Sequence, residues 1–329
     1  MKIAFFSTQD YDRTYFERYN SGHTINYYEN RLDIESIALA DGHDAVCVFV
    51  NDKLDTAVTR SLATRGVKLI LLRCAGFNNV DLNTAREYGI KVFCVPEYSP
   101  HAVAEHTIAL LLCLNRKIHK AYNRVREGNF SLSKLMGFDL YQKTVGVIGC
   151  GRIGKALVNI LLGFGCKVLI SSLEEDYELL NRGVQFVNKE KLFKESDIIS
   201  LQCPLNDTTY HMINKDSIAT MKKGVFLVNT SRGALIDTVA AKMGLQSGQI
   251  GALAIDVYEQ EQHLFFHDLS DNIINDSLIL ELMMYPNVIV TAHQGFFTDE
   301  ALTQIAEVSY ANLENFMTDK NNNELTHLL

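Results

Sequence analysis

The chain has 329 residues, 31 basic and 39 acidic, and its net charge of −8 is not offset by any basic stripe, which argues against nucleic acid or an anionic membrane surface as a partner. Hydrophobic residues make up 47% and charged residues 21%, close to globular averages, so disorder is excluded, and the length suits two domains better than one. Seven cysteines stand singly, with no Cys-x-x-Cys and no close Cys/His pairing. No metal site and no disulfide framework is therefore expected, and the composition reads as a soluble cytoplasmic protein in a reducing compartment. The apolar run after Met1 is too short for a signal peptide, and the longest apolar stretch, 107–114, falls short of a bilayer span.

The first hundred residues alternate short apolar runs with amphipathic segments. Strands are expected at 3–7, 45–50, 69–73 and 91–95, with a less marked one at 25–28, and helices at 12–19, 55–65 and 82–88. Such alternation implies a parallel sheet with helices on its faces. No glycine-rich loop follows the first strand, so this unit is not expected to hold a cofactor. Loops 74–81 and 96–100 lie at strand ends, where open α/β sheets bind their ligands. One long helix is expected over 101–127, apolar around 108–114, able to join two domains and to pack on another subunit; 128–139 reads as irregular.

The stretch Thr144-Val-Gly-Val-Ile-Gly149-Cys-Gly151-Arg-Ile-Gly154-Lys155 then runs from a strand through glycine into a helix. A helix N-terminus welcomes an anion. Gly149 permits the tight turn, Gly151 lets a pyrophosphate approach the backbone, and Gly154 lets strand and helix pack closely. Five further strands are expected at 167–171, 197–201, 225–229, 251–257 and 288–291, with helices at 155–163, 176–182, 189–193, 215–221 and 237–247. Gly244 inside the last of these should weaken it by about 1 kcal/mol against alanine. The connection 259–284 reads as a partly helical excursion, 298–317 as an amphipathic helix and 319–323 as a polar tail.

Three strand ends carry polar groups that a plain core does not need: Arg232 before Gly233, the carboxylates of Asp256, Glu259 and Glu261, and His293. Singly, each has an ordinary structural explanation as a cap, a solvated loop charge or a packed histidine. Their placement at successive strand ends favours a functional one. Histidines 23, 43, 101, 106, 119, 211, 263 and 267 lack such company and read as surface or structural residues.

With these residues in place, the chain resembles the D-isomer-specific 2-hydroxyacid dehydrogenases over essentially its whole length, and among their branches the fermentative D-lactate dehydrogenases. The likeness is carried by Arg73-Cys-Ala-Gly-Phe-Asn-Asn-Val-Asp81, Val103-Ala-Glu-His106, Thr230-Ser-Arg-Gly-Ala-Leu-Ile-Asp237, Asp256-Val-Tyr-Glu259 and His293-Gln-Gly-Phe296. It implies two doubly wound α/β domains: a Rossmann-type NAD domain, 101–296, inserted into a flavodoxin-like substrate domain, 1–100 plus 297–329, with the active site in the cleft. It further implies that Arg232 clamps the substrate carboxylate, as a planar fork matched to a carboxylate should. His293 would be the acid/base, and Glu261 would hydrogen-bond its imidazole and favour the protonated form. Main-chain groups at Ala75 and Gly76 would bind the carboxylate, with Tyr98 and Phe296 shaping a pocket for pyruvate's methyl group. Contacts to NAD would come from Gly149, Gly151, Arg152, Ile153, Gly154, Ser172, Cys203, Pro204, Thr209, Thr230, Ser231 and Asp256. Ser172 departs from the family's usual aspartate, yet Glu174, Glu175 and Asp176 follow it and repel a 2′-phosphate, which favours NAD over NADP. A homodimer or tetramer acting on pyruvate and D-lactate is implied. The rival readings are a sibling acting on a bulkier or glycerate-type acid, and an NAD-sensing regulatory protein.

Overall fold

The computed structural model describes residues 1–318 and 329, so the polar tail at 319–323 lies outside the described residues. The chain divides into two compact units, Met1–Ser99 with Phe296–Leu329, and Pro100–Gly295.

In the first unit, strands β1 (Lys2–Phe5), β2 (Thr24–Tyr27), β3 (Ala45–Val48), β4 (Leu69–Leu72) and β5 (Lys91–Phe93) form a parallel sheet in the order β2-β1-β3-β4-β5. That is the flavodoxin-like order of a doubly wound sheet. Its central strands read as continuous apolar runs, Ala45-Val-Cys-Val and Leu69-Ile-Leu-Leu, because both faces are covered and every residue in them is buried. Helices α1 (Asp10–Tyr19), α2 (Thr56–Thr64) and α3 (Leu82–Glu87) provide the cover together with the closing helix Asp299–Thr318. Asp55 and Asp81 cap α2 and α3 by accepting hydrogen bonds from the first free backbone N–H groups.

The second unit begins with a departure from the expected single long helix. Lys117 adopts left-handed backbone, φ 53°, and splits the segment into α4 (Pro100–Arg116) and α5 (Ile118–Arg126). Lysine gives no sequence signal for that conformation. Ile108, Leu110, Leu111 and Leu114 on α4 are buried in the core of their own unit. The exposed apolar stripe lies instead on α5, at Ile118, Tyr122 and Val125.

Seven parallel strands follow: β6 (Thr144–Ile148), β7 (Lys167–Ser171), β8 (Gln185–Phe186), β9 (Ile198–Leu201), β10 (Val225–Asn229), β11 (Ile250–Ile255) and β12 (Val288–Val290), in the order β12-β11-β10-β9-β6-β7-β8. From β8 to β11 this is the 3-2-1-4-5-6 order of the dinucleotide-binding fold, with β12 added at the edge. The two-residue β8 is the strand that the apolar pattern did not reveal. Helices α6 (Arg152–Gly163), α7 (Tyr177–Asn181), α8 (Lys189–Glu195), α9 (Lys215–Thr220), α10 (Thr238–Ser247) and α11 (Ser277–Met284) connect the strands. Asp176, Asn188, Asn214, Asp237 and Asp276 cap α7 to α11 through their side chains. Gly244 in α10 has a packing reason, since a Cβ there would lie 2.8 Å from Ile250 Cδ1.

Candidate active site

α6 starts differently from the capped helices. Its N-cap is Gly151, which has no side chain to satisfy the first N–H groups, and a Cβ at that position would meet nothing within 4 Å. Room and backbone donors left without a side-chain cap are what a pyrophosphate needs. The flanking glycines are fixed by contact: a Cβ at Gly149, φ 99°, would lie 2.4 Å from the Gln202 carbonyl oxygen, and one at Gly154 would lie 2.3 Å from the Gly149 oxygen. Arg152 and Ile153 form the first turn of α6.

Ser172 is exposed immediately beyond β7 and is followed by exposed Glu174 and Glu175. Asp176 both caps α7 and pairs with Lys155 at 2.5 Å, and that hydrogen bond holds the Asp176 carboxyl below its usual range. Lys155 is thus committed to a carboxylate. Between the ends of β9 and β10, the Ser231 hydroxyl donates to the Cys203 carbonyl at 2.6 Å, and Thr230 Oγ1 lies 2.8 Å from Thr107 Oγ1 and accepts from Gln202 Nε2 at 3.1 Å. Thr209 donates to the Pro204 carbonyl at 2.8 Å. The expected cofactor residues of these two connections are therefore knit together.

Beyond β10, the Arg232 guanidinium donates to the Ser231 carbonyl at 2.7 Å, and the Arg232 carbonyl accepts from Asn229 Nδ2 at 2.8 Å. Gly233 follows because a Cβ there would lie 2.1 Å from the Tyr258 carbonyl carbon. The segment after β11 bends over at Tyr258, whose N–H donates to Glu261 Oε2 at 2.8 Å, and the other Glu261 oxygen lies 2.9 Å from His293 Nδ1.

His293 has left-handed backbone, φ 53°, a conformation that costs a non-glycine residue roughly 1 kcal/mol. Asp256 holds it there. The Asp256 carbonyl accepts the His293 N–H at 2.7 Å, and its carboxylate accepts the N–H groups of Gln294 at 2.9 Å and Gly295 at 2.8 Å and the Thr291 hydroxyl at 2.5 Å. Burial alone would raise this carboxyl. Hydrogen bonds from His106, at 3.2 Å, from Thr291 and from the Gln294 N–H outweigh burial and hold it below the ordinary carboxylate value. Asp256, expected among the cofactor contacts, has 1% of its surface exposed, and its carboxylate anchors the turn that presents His293.

His106 and His211 are thus not isolated histidines. His106 joins Asp256 across 150 positions of sequence, and His211 Nε2 lies 2.6 Å from Glu259 Oε1. Only the short string Val103-Ala-Glu-His106 hinted at the former.

In the first unit, Ala75 and Gly76 follow β4, and the Cys74 thiol donates to the Gly76 carbonyl at 3.2 Å. The Tyr98 and Phe296 rings are 6.4 Å apart and Phe296 stands 5.6 Å from Phe49, an aromatic partner not expected from sequence.

The family model of the D-isomer specific 2-hydroxyacid dehydrogenase NAD-binding domain matches residues 108–295. The chain is 49% identical over 324 residues to 2-hydroxyacid dehydrogenase homolog 1 of Schizosaccharomyces pombe, covering 98% of both. Among solved structures it is similar to the apo-structure of D-lactate dehydrogenase from Escherichia coli, with 44% identity, a TM-score of 0.89 and all of both chains covered. It is also similar to the pyruvate reductase of Chlamydomonas reinhardtii, with 42% identity, a TM-score of 0.90 and 98% of both chains covered. A strand–glycine–helix turn with open space at Gly151 and a histidine held by a glutamate from the neighbouring strand end thus meet in a chain that belongs to the D-isomer-specific 2-hydroxyacid dehydrogenases, and its second unit is their NAD-binding domain.

Proposed function

We propose that the chain reduces pyruvate to D-lactate, with NADH as reductant. The observation that carries the reading is the hydrogen bond between Glu261 and Nδ1 of His293 on a backbone turn fixed by Asp256. With Nδ1 engaged by the carboxylate, the ring is held in one orientation, and Nε2 is the nitrogen that carries a mobile proton. The turn at Gly149, Gly151 and Gly154 would hold NADH, which would supply the hydride for the carbonyl carbon. His293 gives its proton to the carbonyl oxygen, and in the reverse direction the neutral imidazole takes the hydroxyl proton. Arg232 holds the substrate carboxylate and draws electron density from the carbonyl, and in the first unit the backbone N–H groups at Ala75 and Gly76 and the Tyr98 and Phe296 rings are proposed as substrate contacts. The preference for pyruvate is supported by the likeness to the Escherichia coli and Chlamydomonas reinhardtii enzymes named above. A homodimer belongs to the same reading: the exposed stripe of Ile118, Tyr122 and Val125 on α5 is an apolar face for a second copy, and light scattering reads the mass.

The test is loss of NADH absorbance on adding pyruvate, with the chirality of the product assayed. D-Lactate is expected. Folded protein that ignores pyruvate but turns over a bulkier 2-keto acid would make the chain a sibling dehydrogenase. His293→Ala is expected to lower kcat by about 10²- to 10⁴-fold while NADH binding survives; near-normal turnover would remove His293 from the proton transfer.

A further inference from the structure

We propose that His211 and Glu259 form a clasp that positions Arg232 and Glu261, an inference that rests on the roles just given to those two residues. The connection after β10 is flanked on both sides. On one side the His211 N–H donates to the Ala234 carbonyl at 2.9 Å, the Ile213 N–H to Leu235 at 3.0 Å, and Asp237 returns a bond to Ile213 at 2.8 Å. On the other side Gly233 touches the Tyr258–Glu259 peptide, where a Cβ would stand 2.3 Å from the Glu259 nitrogen. The bond between His211 Nε2 and Glu259 Oε1, 2.6 Å long, joins the two flanks. Arg232 stands next to the enclosed glycine, and Glu259 lies two residues before Glu261 on the segment that reaches His293.

The pair is built rather than incidental. His211 holds left-handed backbone, φ 47°, while the Tyr210 ring stacks on its imidazole at 4.0 Å and 15°. Thr238 donates to the second Glu259 oxygen at 3.4 Å. The two side chains are 28% and 24% exposed, and a contact in that setting adds little to stability. Its consequence lies in its location. Opening it frees the Arg232 connection and the Glu261 segment at once, and a guanidinium displaced by an ångström loses the fork geometry that holds a carboxylate.

Glu259→Ala is expected to lower kcat/KM for pyruvate about tenfold, mainly by raising KM, with the NADH dissociation constant within about twofold of wild type. Glu259→Gln keeps an acceptor for the imidazole and should recover most of that loss. His211→Asn tolerates the left-handed backbone but is too short to reach Glu259, and should match Glu259→Ala. Because the two side chains act as one device, His211→Asn with Glu259→Ala should be no worse than either alone. Unchanged kinetic constants with a lowered melting temperature in Glu259→Ala would make the pair merely structural and overturn the clasp. Additive losses in the double variant would overturn it too. Should Glu259→Ala fail to fold, a normal KM in His211→Asn overturns the clasp by itself. Arg232→Ala separates the two levels: if it keeps a normal KM for pyruvate, the underlying reading falls and the clasp with it; if it loses pyruvate while the clasp variants do not, the clasp alone falls.

Discussion

In the first unit the carboxyl end of β1 is filled. Arg73, 2% exposed, donates to the Ser7 carbonyl at 2.8 Å and pairs with Asp12 at 3.2 Å, and its guanidinium lies 4.5 Å from the Phe5 ring and 4.8 Å from the Phe49 ring. Asp52 completes the plug, accepting the Ser7 hydroxyl at 2.7 Å and the Leu32 and Phe49 N–H groups at 2.6 and 2.5 Å. In the second unit the carboxyl end of β6 runs into Gly149 and opens over Gly151, where nothing lies within 4 Å of a Cβ position. Both sheets are parallel and doubly wound, and both offer a crevice at the point where strand order reverses. One is plugged by a salt bridge and aromatic rings, the other left open by glycine. Topology provides the crevice; the first residues past the strand decide whether anything can enter it.

That contrast can be broken from either side. Arg73→Met is the largest expected effect: it strands Asp12 without its partner and should destabilise the protein by about 3–5 kcal/mol in urea titration, with NADH affinity unchanged. Next come the glycines. Gly154→Ala drives a methyl into a backbone oxygen and should cost about 1–3 kcal/mol, whereas Gly151→Val should keep the wild-type melting temperature and weaken NADH about tenfold or more by filling the approach. If Gly151→Val binds NADH normally, the open crevice is not the pyrophosphate site.

A smaller effect concerns pH. The folded-state pKa of Asp256 is depressed, so its stabilisation is complete above the ordinary carboxylate value of about 3.9 and is lost as pH falls from there through the lower folded value. Asp256→Asn should flatten the acid limb of stability measured below about pH 4. The smallest expected effect is one on which the units agree. Burial pushes the Cys47 thiol up to about 12 and the Cys203 thiol up to about 11, so neither should react with iodoacetamide near neutral pH until the chain unfolds.

How far sequence alone reaches follows from what each feature depends on. Val46 and Ile70 announce buried strands because a strand covered on both faces must be apolar throughout. Gly149 and Gly154 announce a close approach because only glycine fits there. Lys117 announces nothing, since its left-handed turn is imposed by the surroundings rather than by lysine itself. The same holds for β8, two residues long, and for the pairs His106–Asp256 and His211–Glu259, whose partners stand 150 and 48 positions apart. Local chemistry leaves a local trace. A contact made by the fold leaves one only where, as at Gly233, it forbids a side chain.

The left-handed backbone at residue 293 has a consequence for redesign. Asparagine, aspartate and glycine accept such a conformation more readily than tyrosine or lysine do. A different side chain installed there would inherit a posture suited to few residues, imposed from behind by Asp256 and permitted by Gly295, where a Cβ would lie 3.0 Å from the Asp256 carboxylate. New chemistry at this position has to start with the carboxylate beneath it, because that residue sets which side chains the turn can present.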